Sequence, residues 1–240
     1  MNTPVELQYI EKLISFRLNK YLSAPVEETL PAIPDLGEWQ LPLVKFVWEN
    51  KLTVHEATLL LIALIPHLQP DLFDRIIESK LNDAGNFPKI GGVRGKNSRS
   101  LFPTGETALF LLAGEDLYQR LEAQQLFWSD HLFGRKKILW LEELPQGEPV
   151  ISGRIVMSPD YIDTFTYGKP VPPHFSMSFP AKQIQTDLSW DDLVIDKELQ
   201  QQIKDIADWL QFNDRLLHEW GMKNRLKKGY RSLFYGPPGT

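Results

Sequence analysis

Apolar residues recur along the first 133 positions at intervals of three and four, the period of an α-helix buried on one face. Leu7, Ile10, Leu13, Ile14 and Leu18 form the first such stripe. A second helix is expected across Leu41–Asn50. Thr53 is a good N-cap, and from it a third helix is expected through Ala57–Ile65 to Pro66. That stretch is apolar nearly all round, which predicts the buried centre of a helical bundle. A fourth helix fits Pro70–Leu81, with Pro70 in the first turn, where its missing N–H costs nothing. The residues from Asn82 to Pro103 are rich in Gly, Asn, Ser and basic side chains and predict a long loop. Two more helices are expected over Thr104–Ala113 and Glu115–Phe133.

The period shortens after Lys136. Ile138–Leu141 and Arg154–Met157 are short, largely apolar runs bounded by Gly, Pro or charge, as strands are. Ser158 is placed to cap one short helix through Tyr161–Phe165. Phe175–Phe179 alternates apolar and polar, the pattern of a half-buried strand. From Leu188 the pattern changes again. Ser189–Ile195 precedes an amphipathic helix expected from Asp196 to about Trp220, with a stripe of Leu199, Ile203, Ile206, Leu210, Leu216 and Leu217. Gly221 can end it. A basic stretch, Lys223–Arg231, leads into Ser232–Tyr235, which predicts a buried strand. The fold class is therefore α+β in three sections: a helical domain over 1–133, a small α+β connecting segment over 134–187, and a third section over 188–240.

Composition narrows the function classes. Net charge is −5, which argues against a general affinity for nucleic acid. The absence of cysteine excludes disulfides and thiolate metal sites and fits a reducing, cytoplasmic setting. Glu6 and Glu11 interrupt the N-terminus, so it does not read as a secretory signal. The apolar run Leu59–Pro66 is far shorter than the ~20 residues of a membrane span.

The most specific chemistry lies in the last five residues, Gly236-Pro237-Pro238-Gly239-Thr240. They match the first five positions of the phosphate-binding loop G-x-x-x-x-G-K-[ST], and they follow an apolar run as that loop requires. In such a loop successive backbone N–H groups form a nest around phosphate oxygens, and the next helix adds its N-terminal partial charge. The lysine pairs with the outer phosphates and the final hydroxyl ligates magnesium. Those last three positions are absent from the 240 residues, so no catalytic residue is expected within them and ATP hydrolysis is not expected of them alone.

The order Trp190-Asp191-Asp192-Leu193-Val194, long helix, basic linker, Ser232–Tyr235 and Gly236–Thr240 resembles the start of an AAA+ ATPase module of the AAA type. The resemblance covers residues 188–240. It implies the first helix and strand of an incomplete α/β P-loop domain. It also implies a nucleotide site in which Asp192, Leu193 and Val194 line the adenine pocket while Gly236, Pro237, Pro238, Gly239 and Thr240 surround the phosphates. ATP and Mg2+ are the implied cofactors, and the implied partners are a protein to be remodelled and further copies in a homo-oligomeric ring. Upstream, Phe87–Gly95 and Phe102–Ala108 resemble the N-terminal region of bacterial AAA ATPases, some of which are encoded with phage-tail-like contractile injection systems.

Rival sites are weaker. Gly91–Lys96 with Arg99 has the composition of a phosphate loop but no preceding strand, and a surface loop is the expectation. Lys223, Arg225, Lys227, Lys228 and Arg231 suit the C-terminal end of a helix on dipole grounds. The five histidines form no H-E-x-x-H pair. Glu142-Glu143 and Asp191-Asp192 are adjacent carboxylates, which on a strand would point to opposite faces. The alternative function is a stand-alone helical protein-interaction module whose Gly-Pro-Pro-Gly is an incidental turn.

Overall fold

The structure, a computed structural model, describes residues 3–22, 29–81, 88–95, 97–169, 171, 186–187, 189–192, 194–222, 225 and 229–236. The chain divides into two compact units, Met1–Pro173 and His174–Thr240.

The first unit is built on α3 (Val54–Leu68), whose residues from Ala57 to Ile65 are all buried. Thr53 starts it with a capping box: its hydroxyl accepts the Glu56 N–H while the Glu56 carboxylate accepts the Thr53 N–H. The helix continues two residues past Pro66, held by the Gln69 N–H donating to the Ile65 carbonyl at 2.8 Å. Four further helices share its core: α1 (Val5–Tyr21), α2 (Leu43–Glu49), α4 (Leu72–Lys80) and α5 (Gly105–Ala113). The predicted stripe of α1 is buried throughout, against α3, α4 and α5.

Two charged side chains on α1 are also buried. Glu6 Oε1 accepts the N–H groups of Gln40 (3.0 Å) and Leu41 (2.6 Å), pinning the irregular segment before α2. Arg17 donates from Nε to the Leu111 carbonyl (2.9 Å) and from Nη2 to the Leu112 carbonyl (2.8 Å). It thereby satisfies carbonyls at the end of α5 that the helix itself leaves unpaired.

The expected loop over 82–103 carries a short antiparallel hairpin, β1 (Val93–Arg94) and β2 (Leu101–Phe102). Asp74 on α4 ties it down: one carboxylate oxygen pairs with Arg94 at 2.8 Å and the other accepts the Leu101 N–H at 2.9 Å. Gly91 and Gly92 both sit at positive φ (69° and 96°), the region that favours glycine. A Cβ on Gly91 would lie 2.6 Å from Thr104 Oγ1. The Gly-Gly pair is thus a packing device against the capped start of α5, where the Gly92 N–H donates to Thr104 Oγ1.

The expected helix over Glu115–Phe133 is broken into α6 (Leu117–Gln124), a 3-10 turn at Gln125–Phe127 and α7 (Leu132–Arg135). His131 caps α7 by accepting the Phe133 N–H at Nδ1, and Gly134 lies so close to the Trp128 carbonyl that a Cβ would sit 2.6 Å away. These contacts favour a restart over one continuous helix.

The second sheet is the predicted strand pair. β3 (Leu139–Leu141) and β4 (Ile155–Met157) are antiparallel, with Leu139 opposite Met157 and Leu141 opposite Ile155. Leu139, Ile155 and Met157 turn inward, while Trp140 faces outward, the period-two alternation of a half-covered ribbon. The Ile155 N–H donates to the Pro103 carbonyl (2.9 Å), joining this ribbon to the segment that enters α5. α8 (Pro159–Tyr167) begins two residues before the expected Tyr161, with proline in its first turn, and ends on Gly168 at φ 77°. Its buried Phe165 stacks 5.2 Å from Phe46 of α2. Ile138, Leu139, Ile155, Met157 and Phe165 therefore belong to the same core as α3.

In the second unit a 3-10 turn at Trp190–Asp192 precedes α9 (Lys197–Asp214). Asp196 caps α9 by accepting the Leu199 N–H at 2.7 Å. The helix passes into a π turn over Arg215–Glu219, and Gly221 follows at φ 66°. The run Ser232–Tyr235, predicted as a strand, is irregular, because no strand pairs with it among the described residues. The coarse result is a helix-rich α+β chain, with two small antiparallel sheets among the described residues. The predicted strand Phe175–Phe179 lies outside the described residues. No helix among the described residues is long and apolar enough to cross a membrane.

Candidate functional site

Asp192 and Val194, expected on the adenine side, precede α9. Ser189 and Asp192 close a small turn: the Asp192 carboxylate accepts both the N–H and the O–H of Ser189 at 2.8 Å. In return, the Asp192 N–H donates to the Ser189 carbonyl at 3.1 Å. The two donations from Ser189 hold the Asp192 carboxyl below the ordinary carboxylate range. The carboxylate is thus occupied in fixing the backbone of its own turn and has a structural task there. Val194, two residues on, is 98% exposed and touches no core. Leu193 lies outside the described residues.

In the run expected to lead into a phosphate loop, Leu233, Phe234 and Tyr235 are exposed at 85%, 78% and 92%. Gly236 is exposed as well, and Pro237, Pro238, Gly239 and Thr240 lie outside the described residues. Among the described residues, no hydrogen bond, ion pair or ring contact joins the Ser189–Val194 turn to the Arg231–Gly236 run. Of the residues expected to form a nucleotide site, the described ones, Asp192, Val194 and Gly236, are exposed.

Several residues of the rival groups have structural partners. Arg94 of the Gly-rich hairpin is paired with Asp74, and Glu142 pairs with Arg154 at 3.3 Å. Glu56 and His131 form a pair at 3.1 Å in the helical unit. No group of three or more His, Cys, Asp or Glu side chains able to hold a metal occurs among the described residues. One surface feature escaped the sequence reading: an aromatic groove on α9, lined by Trp209, Phe212, Trp220 and Tyr230. The residues were visible as aromatics, but the return of Tyr230 beside Trp209, 21 positions away, is a long-range contact that the sequence does not mark.

Compared with protein-family models, curated protein sequences and solved structures, the chain shows no significant match to any of them.

Proposed function

We propose that this chain is the N-terminal part of an AAA+ ATPase that binds and hydrolyses ATP to remodel a protein partner. The observation that carries the reading is the sequence Gly236-Pro237-Pro238-Gly239-Thr240 placed after an apolar run and downstream of Trp190–Val194 and a long helix. In this reading Leu193 and Val194 take the adenine, and the exposure of Val194 leaves it available to do so. Asp192 contributes through the turn it stabilises with Ser189. The backbone N–H groups from Gly236 to Thr240 approach the phosphates, and bound Mg2+ would neutralise phosphate charge. None of the described residues is assigned to the metal, so the proposal draws its ligands from beyond Thr240.

The exposed Leu233–Tyr235 tract suits a strand of a parallel sheet, which is buried on both faces once its neighbours are in place. An ATP-driven machine of this kind works as a ring, so the proposal includes further copies of the chain. It also places the protein in the cytoplasm, where ATP is supplied. A second reading, that Met1–Pro173 serves as a protein-interaction module in its own right, is favoured by the exposed Leu117, Tyr118 and Leu121 on α6.

Calorimetric titration of residues 1–240 with Mg-ATP tests the site. The lysine and hydroxyl that make the strongest phosphate contacts are not among these residues, so no low-micromolar binding is expected. Low-micromolar binding would mean that the nucleotide site lies elsewhere in the chain.

A further inference from the structure

A π turn over Arg215–Glu219 follows α9. A π turn inserts one extra residue into the helical repeat, and such insertions concentrate at functional sites. Here the Trp220 N–H donates to the Arg215 carbonyl at 3.0 Å, and Trp220 joins Trp209 and Phe212 along one groove. Tyr230 returns from the following segment to close it, its ring 6.0 Å from that of Trp209 and tilted by 49°. The groove encloses about 440 Å³, within the range of small-ligand sites. Trp220 is 68% exposed, so the aromatic faces are open to solvent.

Among the described residues, the rim carries more acidic than basic side chains. Asp205 and Asp208 both line the groove. Among the described residues, Asp205 is hydrogen-bonded by the neutral amide of Gln201 (2.8 Å) and has no ion pair. Asp208 has no hydrogen bond or ion pair among the described residues. Among the described residues of the lining the one cation, Arg215, is committed to Glu219 at 3.2 Å. Aromatic faces attract cations through their ring quadrupoles, and alkylated ammonium ions gain most because they are cheap to desolvate. An anionic ligand such as a nucleotide phosphate would meet repulsion from both aspartates.

We infer that the groove formed by Trp209, Phe212, Trp220 and Tyr230, with Asp205 and Asp208 at its rim, is a binding site for an alkylated ammonium cation. The aromatic rings take the alkyl groups and the carboxylates balance the charge. This site is separate from the proposed nucleotide segment and does not depend on it.

The test is a titration of the 240-residue protein with choline and with 3,3-dimethyl-1-butanol, its uncharged isostere. It is read by the indole N–H resonances of Trp209 and Trp220, assigned from Trp209→Phe and Trp220→Phe variants. Choline is expected to shift both resonances saturably and to bind about tenfold more tightly than the alcohol. Asp208→Asn and Trp220→Ala change exposed residues, so they leave the fold intact, and each is expected to weaken choline several-fold. A trimethyl-lysine peptide titrated in parallel distinguishes a protein-borne ammonium from a small-molecule one; tighter binding by either supports the site. Equal binding of choline and the alcohol, or no shift with any of the three probes, would overturn the inference and leave the groove as a packing face for neutral apolar surface.

Discussion

His131 Nε2 lies 3.1 Å from Glu56 Oε1, so that one carboxylate joins the first turn of α3 to the cap of α7. The other oxygen, Oε2, accepts the Thr53 N–H and O–H, each at 2.7 Å. Because His131 Nδ1 accepts the Phe133 N–H, the neutral ring carries its proton on Nε2 and donates it to Glu56. Every acceptor position that matters on Glu56 is in use, and the carboxylate acts as a clip between two helices 75 residues apart in sequence.

That clip sets an acid-stability prediction. Burial opposes ionisation of Glu56, but the donors from Thr53 and the imidazole outweigh it and hold its pKa below the ordinary value. A carboxyl depressed in the folded state stabilises the fold above its unfolded pKa, and that stability is lost as pH falls through the folded value. Glu56→Gln is therefore expected to cost about 1 kcal/mol at pH 7. The deficit should shrink as pH is lowered from about 4.5. Urea melts of both proteins between pH 7 and pH 3 measure it; a deficit independent of pH would contradict the assignment.

Arg17 gives the second prediction. Its guanidinium is 8% exposed as a residue and bridges two successive carbonyls at the end of α5. Arg17→Met keeps the aliphatic volume but strands both acceptors, at a cost of about 3 kcal/mol. For a chain of this size that corresponds to a fall in Tm of about 6–12 °C. Arg17→Lys should recover only part of it, since an ammonium lacks the planar fork. Thermal denaturation followed by circular dichroism decides between these outcomes, and a Met variant as stable as the parent would show the contacts to be dispensable.

The unit boundary is testable by truncation. A polypeptide ending at residue 173 is expected to unfold cooperatively and to be predominantly helical. One ending at residue 133 lacks Ile138, Leu139, Ile155, Met157 and Phe165, all buried in the common core. Their removal costs about 8–15 kcal/mol by side-chain burial, comparable with the whole stability of a domain. Circular dichroism with urea titration compares the two; an equally cooperative 1–133 fragment would show the helical bundle to be complete without the β3–β4 ribbon.

The helical stripes were legible because burial on one face imposes a period that survives in one-dimensional order. Leu7, Ile10, Leu13, Ile14 and Leu18 are all buried, and Thr53 and Thr104 cap the helices that follow them. The strands at Leu139–Leu141 and Ile155–Met157 were visible for the same reason. What escaped was long-range and polar. Nothing local marks Glu6 and Arg17 as interior residues, because their partners lie 34 or more positions away. The Gly91-Gly92 pair looked like loop flexibility, and only its approach to Thr104 shows that the glycines are there for want of a side chain. His131 read as one residue within a long helix, because its role as the cap of α7 depends on Glu56. Of the candidate site, the turn at Ser189–Asp192 is a local hydrogen-bond pattern, whereas the aromatic groove needs Tyr230 to return beside Trp209, a long-range contact that composition does not reveal.

The central claim is that Gly236–Thr240 opens a phosphate-binding loop. The coding sequence immediately downstream of Thr240, read from the transcript, tests it most directly. The account predicts glycine, then lysine, then serine or threonine as the next three residues. A stop codon, or any residue other than lysine at the second of those positions, would contradict it.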